Sequence, residues 1–60
     1  MKAQRAQEIL QADTKIDVEV NGIAVWIDSV DPARGIAKIH DEDRPAETRI
    51  VSVDQLQEIQ

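Results

Sequence analysis

The dipeptide Asn21-Gly22 lies between two runs of alternating aliphatic residues, and it constrains this chain more than any other feature. Asn and Gly tolerate the positive φ that a two-residue type I′ turn requires at both central positions, and so short a loop leaves no freedom in strand register. Counting outward pairs Val20 with Ile23, Val18 with Val25 and Ile16 with Ile27, so six aliphatic side chains converge on one face of a hairpin. The same count sets Asp17 opposite Trp26 and Glu19 opposite Ala24 on the other face. That second face is mixed, which predicts that it is half solvated or partly covered by a helix.

The helix comes from the opening segment, Lys2 to Ala12, where Ala3, Ala6, Ile9 and Leu10 form a narrow apolar stripe among polar residues. Eleven residues are marginal for an isolated helix, so it forms by docking that stripe. Downstream, Asp31-Pro32-Ala33-Arg34-Gly35 encodes a turn: Pro32 presets φ and Gly35 accepts the left-handed conformation that returns the chain. Counting out from a four-residue loop pairs Val30 with Ala37 but Asp28 with Ile39, a carboxylate against an aliphatic. A β-bulge near Asp28 to Val30 resolves the conflict and adds curvature. His40 to Glu47 is polar, contains Pro45 and reads as a loop, and Thr48 to Val53 reads as a fourth strand. Ser52-Val53-Asp54-Gln55 has the capping-box arrangement ahead of Leu56 and Ile59, which predicts a short helical turn at the C-terminus.

The expected architecture is a single α+β domain over residues 1–60. An N-terminal amphipathic helix packs on a four-stranded antiparallel meander that curls into a small, SH3-like, partly open barrel, followed by the C-terminal helical turn. Sixty residues with no cysteine leave aliphatic packing to hold it, because disulfides and Cys-ligated zinc are absent. Trp26 is the sole aromatic, so the core is thin and has little room for an enclosed catalytic pocket. The net charge of −5 argues against a protein whose main ligand is DNA, since nonspecific affinity for phosphate backbones is cation-driven. No apolar run approaches the length needed to cross a bilayer, and no apolar secretory leader opens the chain, so membrane association is not expected and a cytoplasmic site is.

Three constellations merit a chemical test. His40-Asp41-Glu42-Asp43 groups three carboxylates with the only imidazole, a set that suits a hard divalent cation. Reading Asp41 as the first position of an EF-hand loop places Asp43 third, Pro45 fifth, Ala46 where Gly is required and Ser52 where the bidentate Glu belongs. The pattern fails, and the segment Asp41 to Glu47 reads as a solvated acidic loop partly neutralised by Arg44 and Arg49, with no metal site. Nucleophilic catalysis would need Ser29 or Ser52 to converge with His40, yet neither serine has a nucleophile-elbow context. No phosphate-cradling glycine loop is present either, so the expectation is no catalytic residue, no cofactor and no enzymatic activity. Trp26 reads as a core-edge residue packed under the first helix; its alternative is an exposed surface for a protein partner, including a second copy paired through an open strand edge.

Taken together, Arg5-Ala6-Gln7-Glu8-Ile9, then Asn21-Gly22 followed by Val25-Trp26-Ile27, then Asp31 opening the next turn resemble the H-type small acid-soluble spore proteins of endospore-forming Firmicutes. The acidic Pro-containing segment Asp41 to Glu47 and the ending around Val53 and Leu56 fit the same pattern over nearly the whole chain. The resemblance implies a minor, non-enzymatic structural or storage protein made in the forespore and kept in the dormant spore core, with no known partner and no site residue to carry over. It does not extend to the DNA-coating α/β-type spore proteins, whose sequences this chain does not match. Solubility in acid suits the composition, because protonating the twelve carboxylates leaves seven Lys and Arg plus His40 charged.

Overall fold

A computed structural model describes residues 1–59. Helix α1 (Ala3–Gln11) is followed by strands β1 (Val18–Val20), β2 (Ile23–Asp31), β3 (Ile36–Asp41) and β4 (Arg44–Ser52), a single 3-10 turn (Val53–Gln55) and β5 (Leu56–Glu58). The strands form one antiparallel sheet in the order β4-β3-β2-β1-β5. This corrects the expected four-stranded barrel in two respects. A fifth strand continues directly from the C-terminal turn and pairs with β1, Val20 opposite Leu56 and Val18 opposite Glu58. The sheet also stays open, with β4 and β5 as separate edges rather than partners in a closed barrel. It is nonetheless strongly coiled, since the three residues of the 3-10 turn carry the chain from one edge to the other.

The hairpin register follows from its turn. Asn21 at φ 51° and Gly22 at φ 80° occupy the left-handed region, and Val20 faces Ile23 and Val18 faces Val25 as counted. The β1 ladder starts at Val18, so the expected Ile16–Ile27 pair lies outside it; both side chains pack half-buried against the core. Ile23, beside the turn, is 49% exposed. Between β2 and β3, Val30 pairs with Ala37 and Ser29 with Lys38, and Ile27 then pairs with Ile39 because Asp28 is extra. That bulge keeps Val25, Ile27, Ala37 and Ile39 on one face and sets Asp28 outside it.

The polar segment His40 to Glu47 is not a loop. β3 runs to Asp41, Glu42 and Asp43 make a tight turn, and β4 begins at Arg44. Asp41 pairs with Arg44 but His40 with Thr48, so residues 45–47 form a bulge that accommodates Pro45, which has no N–H to contribute to a ladder. Polar side chains are tolerated because β4 is an edge strand, exposed from Arg44 to Ile50.

The core is Ala6, Ile9, Val18, Val20, Val25, Ala37, Ile39, Val53 and Leu56. α1 contributes Ala6 and Ile9 to it, with Ala3 half-buried beside them. Leu10, expected in the docked stripe, is 41% exposed, because the 3, 6, 9 spacing alone centres on the sheet. The 3-10 turn carries the capping box: Ser52 Oγ accepts from the Asp54 N–H at 3.2 Å, and Gln55 Oε1 accepts from the Ser52 N–H at 3.1 Å. The α-amino group of Met1 donates to the carbonyls of Val53 at 2.8 Å and Leu56 at 3.1 Å, tying α1 to the same turn.

Candidate functional site

Alternation along β2 turns Val25 and Ile27 inward and Trp26 outward, so Trp26 does not pack beneath the helix. The residue is 43% exposed. Outward residues of neighbouring strands continue the surface: Trp26 lies opposite His40 and His40 opposite Thr48, and in the next row Ser29 lies opposite Lys38 and Lys38 opposite Ile50. Ile50 is 67% exposed, the most open large aliphatic in the chain among the described residues. Together they make an outer sheet face with two apolar groups separated by polar ones.

Lys15, in the segment joining α1 to β1, reaches this face from one side. Its ammonium group stands 4.4 Å from the centre of the Trp26 ring, a cation–π geometry. It also donates to Glu42 in the β3–β4 turn and lies 3.4 Å from Asp17. The hydrogen bond to Glu42, and secondarily that to Asp17, holds the Lys15 proton above the ordinary lysine range. Lys15 thus fastens the α1–β1 segment to β2 and to the β3–β4 turn. Beside it is an open groove of about 310 Å³ at the end of α1, with Ile9, Leu10, Ile16, Ile27 and Trp26 among its walls.

The extra residue of the β2–β3 bulge has a polar consequence. Asp28 is turned toward His40, whose Nδ1 lies 2.9 Å from both carboxylate oxygens. The imidazole is therefore oriented by a carboxylate, as in a catalytic triad, but neither serine completes such an arrangement. Ser52 caps the 3-10 turn and Ser29 faces Lys38. The acidic segment is likewise distributed among cations: Asp41 pairs with Arg49 at 2.8 Å, Glu42 with Lys15, and Glu47 lies 3.6 Å from Arg44. Among the described residues no three His, Asp or Glu side chains are grouped to hold a metal ion. Among the described residues no helix is long and apolar enough to cross a membrane.

The basic residues are scattered and mostly paired. Arg5 bonds Glu58 and Glu8, the first contact being the main reason its proton is held more tightly than usual, and Arg34 lies 3.7 Å from Asp31. Among the described residues only Lys2 and Lys38 have no carboxylate within salt-bridge distance. Sequence reasoning singled out Trp26 but missed Lys15 as its neighbour and Asp28 as the partner of His40. The bulge inferred from the strand count was the available signal for Asp28, whereas Lys15 sits in an irregular segment with no periodicity to orient it.

Comparison with known proteins gives one consistent result. Residues 1–58 match the sequence model of the Small acid-soluble spore protein H family. The chain is 38% identical over 58 residues to Small, acid-soluble spore protein H of Bacillus thuringiensis subsp. konkukian, covering 97% of this chain and 98% of the relative. It is similarly 38% identical to Small, acid-soluble spore protein H 2 of Geobacillus thermodenitrificans, covering 97% of each, and 34% identical to Small, acid-soluble spore protein H of Bacillus subtilis, covering 97% and 98%. No solved structure matches it.

Proposed function

The chain belongs to the small acid-soluble spore protein H family, and from that premise we propose that it is a non-enzymatic structural or storage protein, made in the forespore and held in the core of the dormant spore. The observation that carries this reading is the match over residues 1–58, which spans every structural element of the domain. The side-chain chemistry supports it. The sole histidine is engaged by Asp28, and the cations are largely neutralised by neighbouring carboxylates rather than arrayed along a stripe that could track a phosphate backbone. Acid solubility follows from composition, since the twelve carboxylates lose their charge at low pH while the seven Lys and Arg keep theirs. The test is quantitative mass spectrometry of acid extracts from decoated, purified spores and from vegetative cells. Recovery from the spore extract alone is the expected result; equal recovery from both would overturn the reading.

A second reading rests on the outer sheet face. Trp26 and Ile50 are exposed on it, and the Thr48–Ser52 end of edge strand β4 lacks the proline and bulge that blunt its other end. A second copy of the chain, pairing edge to edge, would cover that stretch. Sedimentation over a wide concentration range tests this: a dimer dissociated by Ile50→Lys supports it, and a monomer at every concentration refutes it.

A further inference from the structure

We infer that the Asn21-Gly22 turn is a site of spontaneous covalent modification, and that the hairpin built on it gates the reaction. In the chemistry an asparagine followed by glycine permits, the backbone nitrogen of Gly22 attacks Cγ of the Asn21 side chain. The N–Cγ bond forms, the Cγ–Nδ2 bond breaks, and Nδ2 leaves as ammonia with the proton given up by the Gly22 amide. Water then opens the resulting five-membered imide at either carbonyl, giving aspartate or isoaspartate. The net change is one amide plus one water to one carboxylic acid plus one ammonia, with no oxidant, cofactor or enzyme. Both residues are exposed, so water has access, and a β-carbon added at Gly22 would meet nothing within 4 Å, so no distant part of the chain crowds that side of the turn.

The folded turn opposes the first step. Asn21 and Gly22 have φ of 51° and 80°, the signature of a type I′ turn, in which the first central residue has ψ of about +30°. That torsion nearly eclipses the Gly22 nitrogen with the backbone nitrogen of Asn21. An imide ring requires it to eclipse Cβ instead, a large rotation about the Cα–C bond. The rotation cannot occur while Val20 stays paired with Ile23. Opening that pair disturbs more than a loop, because Val18 and Val20 are each 2% exposed and β1 lies between β2 and β5. The reaction therefore proceeds through a sub-globally opened state. Its isoaspartate product routes the main chain through the former side chain and adds a methylene to a two-residue turn, so the register cannot re-form. Aspartate, by contrast, keeps a turn-forming Asp-Gly pair. Opened copies are thereby converted irreversibly while folded copies are preserved.

The experiment incubates the purified full chain in mildly alkaline buffer without denaturant and in urea above its unfolding midpoint. Peptide mass spectrometry follows conversion of the Asn21 amide to an acid, and an isoaspartate-specific methyltransferase follows the rearranged product. Conversion at least tenfold faster in urea is expected, and a core variant such as Leu56→Ala, assayed without urea, should accelerate it tenfold for each 1.4 kcal/mol of lost opening free energy. The Asn21→Asp variant should give no mass change. Equal rates with and without urea would overturn the gating, and no conversion in urea would overturn the site.

Discussion

Replacing Leu56 by Ala tests the element that most alters the expected architecture, the strand after the 3-10 turn. Leu56 is 1% exposed and sits opposite Val20, itself 2% exposed, so the substitution leaves a cavity between β5, β1 and α1. Such truncations cost about 2–5 kcal/mol. A sixty-residue domain has a total stability of about 3–9 kcal/mol, so the change removes a large fraction of it. At about 4–8 °C per kcal/mol for domains of this size, Tm falls by at least about 8 °C. Urea and thermal unfolding followed by far-ultraviolet circular dichroism are the assays. Two companions keep the result interpretable if the Ala variant fails to fold: Leu56→Met conserves volume and should cost less than about 1.5 kcal/mol, whereas Ile59→Ala, at a residue 44% exposed, should stay within about 0.5 kcal/mol of the parent. If Leu56→Ala costs no more than Ile59→Ala, the C-terminal segment does not seal the core.

Other perturbations address the remaining elements. Deleting Asp28 removes the bulge and lets Ile27 run directly into Ser29, with Ile27 still opposite Ile39 and Ser29 opposite Lys38, so Val25 and Ile27 stay in the core; the deletion should keep cooperative unfolding, and a deletion variant that no longer unfolds cooperatively would refute the register. Ser52→Ala should cost about 0.5–2 kcal/mol by uncapping the 3-10 turn, and an unchanged urea midpoint would show that the cap contributes nothing. Because the proton on Lys15 is held above its ordinary pKa of 10.5, its contribution to stability is complete below that value and disappears as pH rises through the elevated one. The Tm difference between the parent and Lys15→Met should therefore be constant near neutrality and shrink at the alkaline end. A difference that persists unchanged would remove Lys15 as a fastener.

Which parts were readable from sequence depended on how local their determinants are. The Asn21-Gly22 hairpin and the Ser52–Gln55 capping box are each specified within a few residues, and both have the expected geometry. The Asp28 bulge was readable because a regular ladder would have set a carboxylate against Ile39. β5 was not, because Leu56-Gln57-Glu58 is only three residues long and its partner Val18–Val20 lies far away in sequence, so no periodicity distinguishes it from a continued helical turn. β4 was misread at its start because an exposed edge imposes no apolar alternation, and Pro45 is excluded from a central strand but not from an edge bulge. For Trp26, the general burial tendency of Trp outweighed a local fact already in the sequence, its position between two inward-facing aliphatics. Lys15 could be placed only once the fold had brought the α1–β1 segment against the β3–β4 turn.

The proposal that this chain is made in the forespore and held in the spore core is tested most directly by a sporulation time course. Cells are sampled from vegetative growth to free spores, forespores are separated from mother cells, and the chain is quantified in each fraction by mass spectrometry. The account predicts none in vegetative cells or mother cells, appearance late in the forespore, and retention in the core of the released spore. Comparable amounts in vegetative cells, or accumulation in the mother cell, would contradict it.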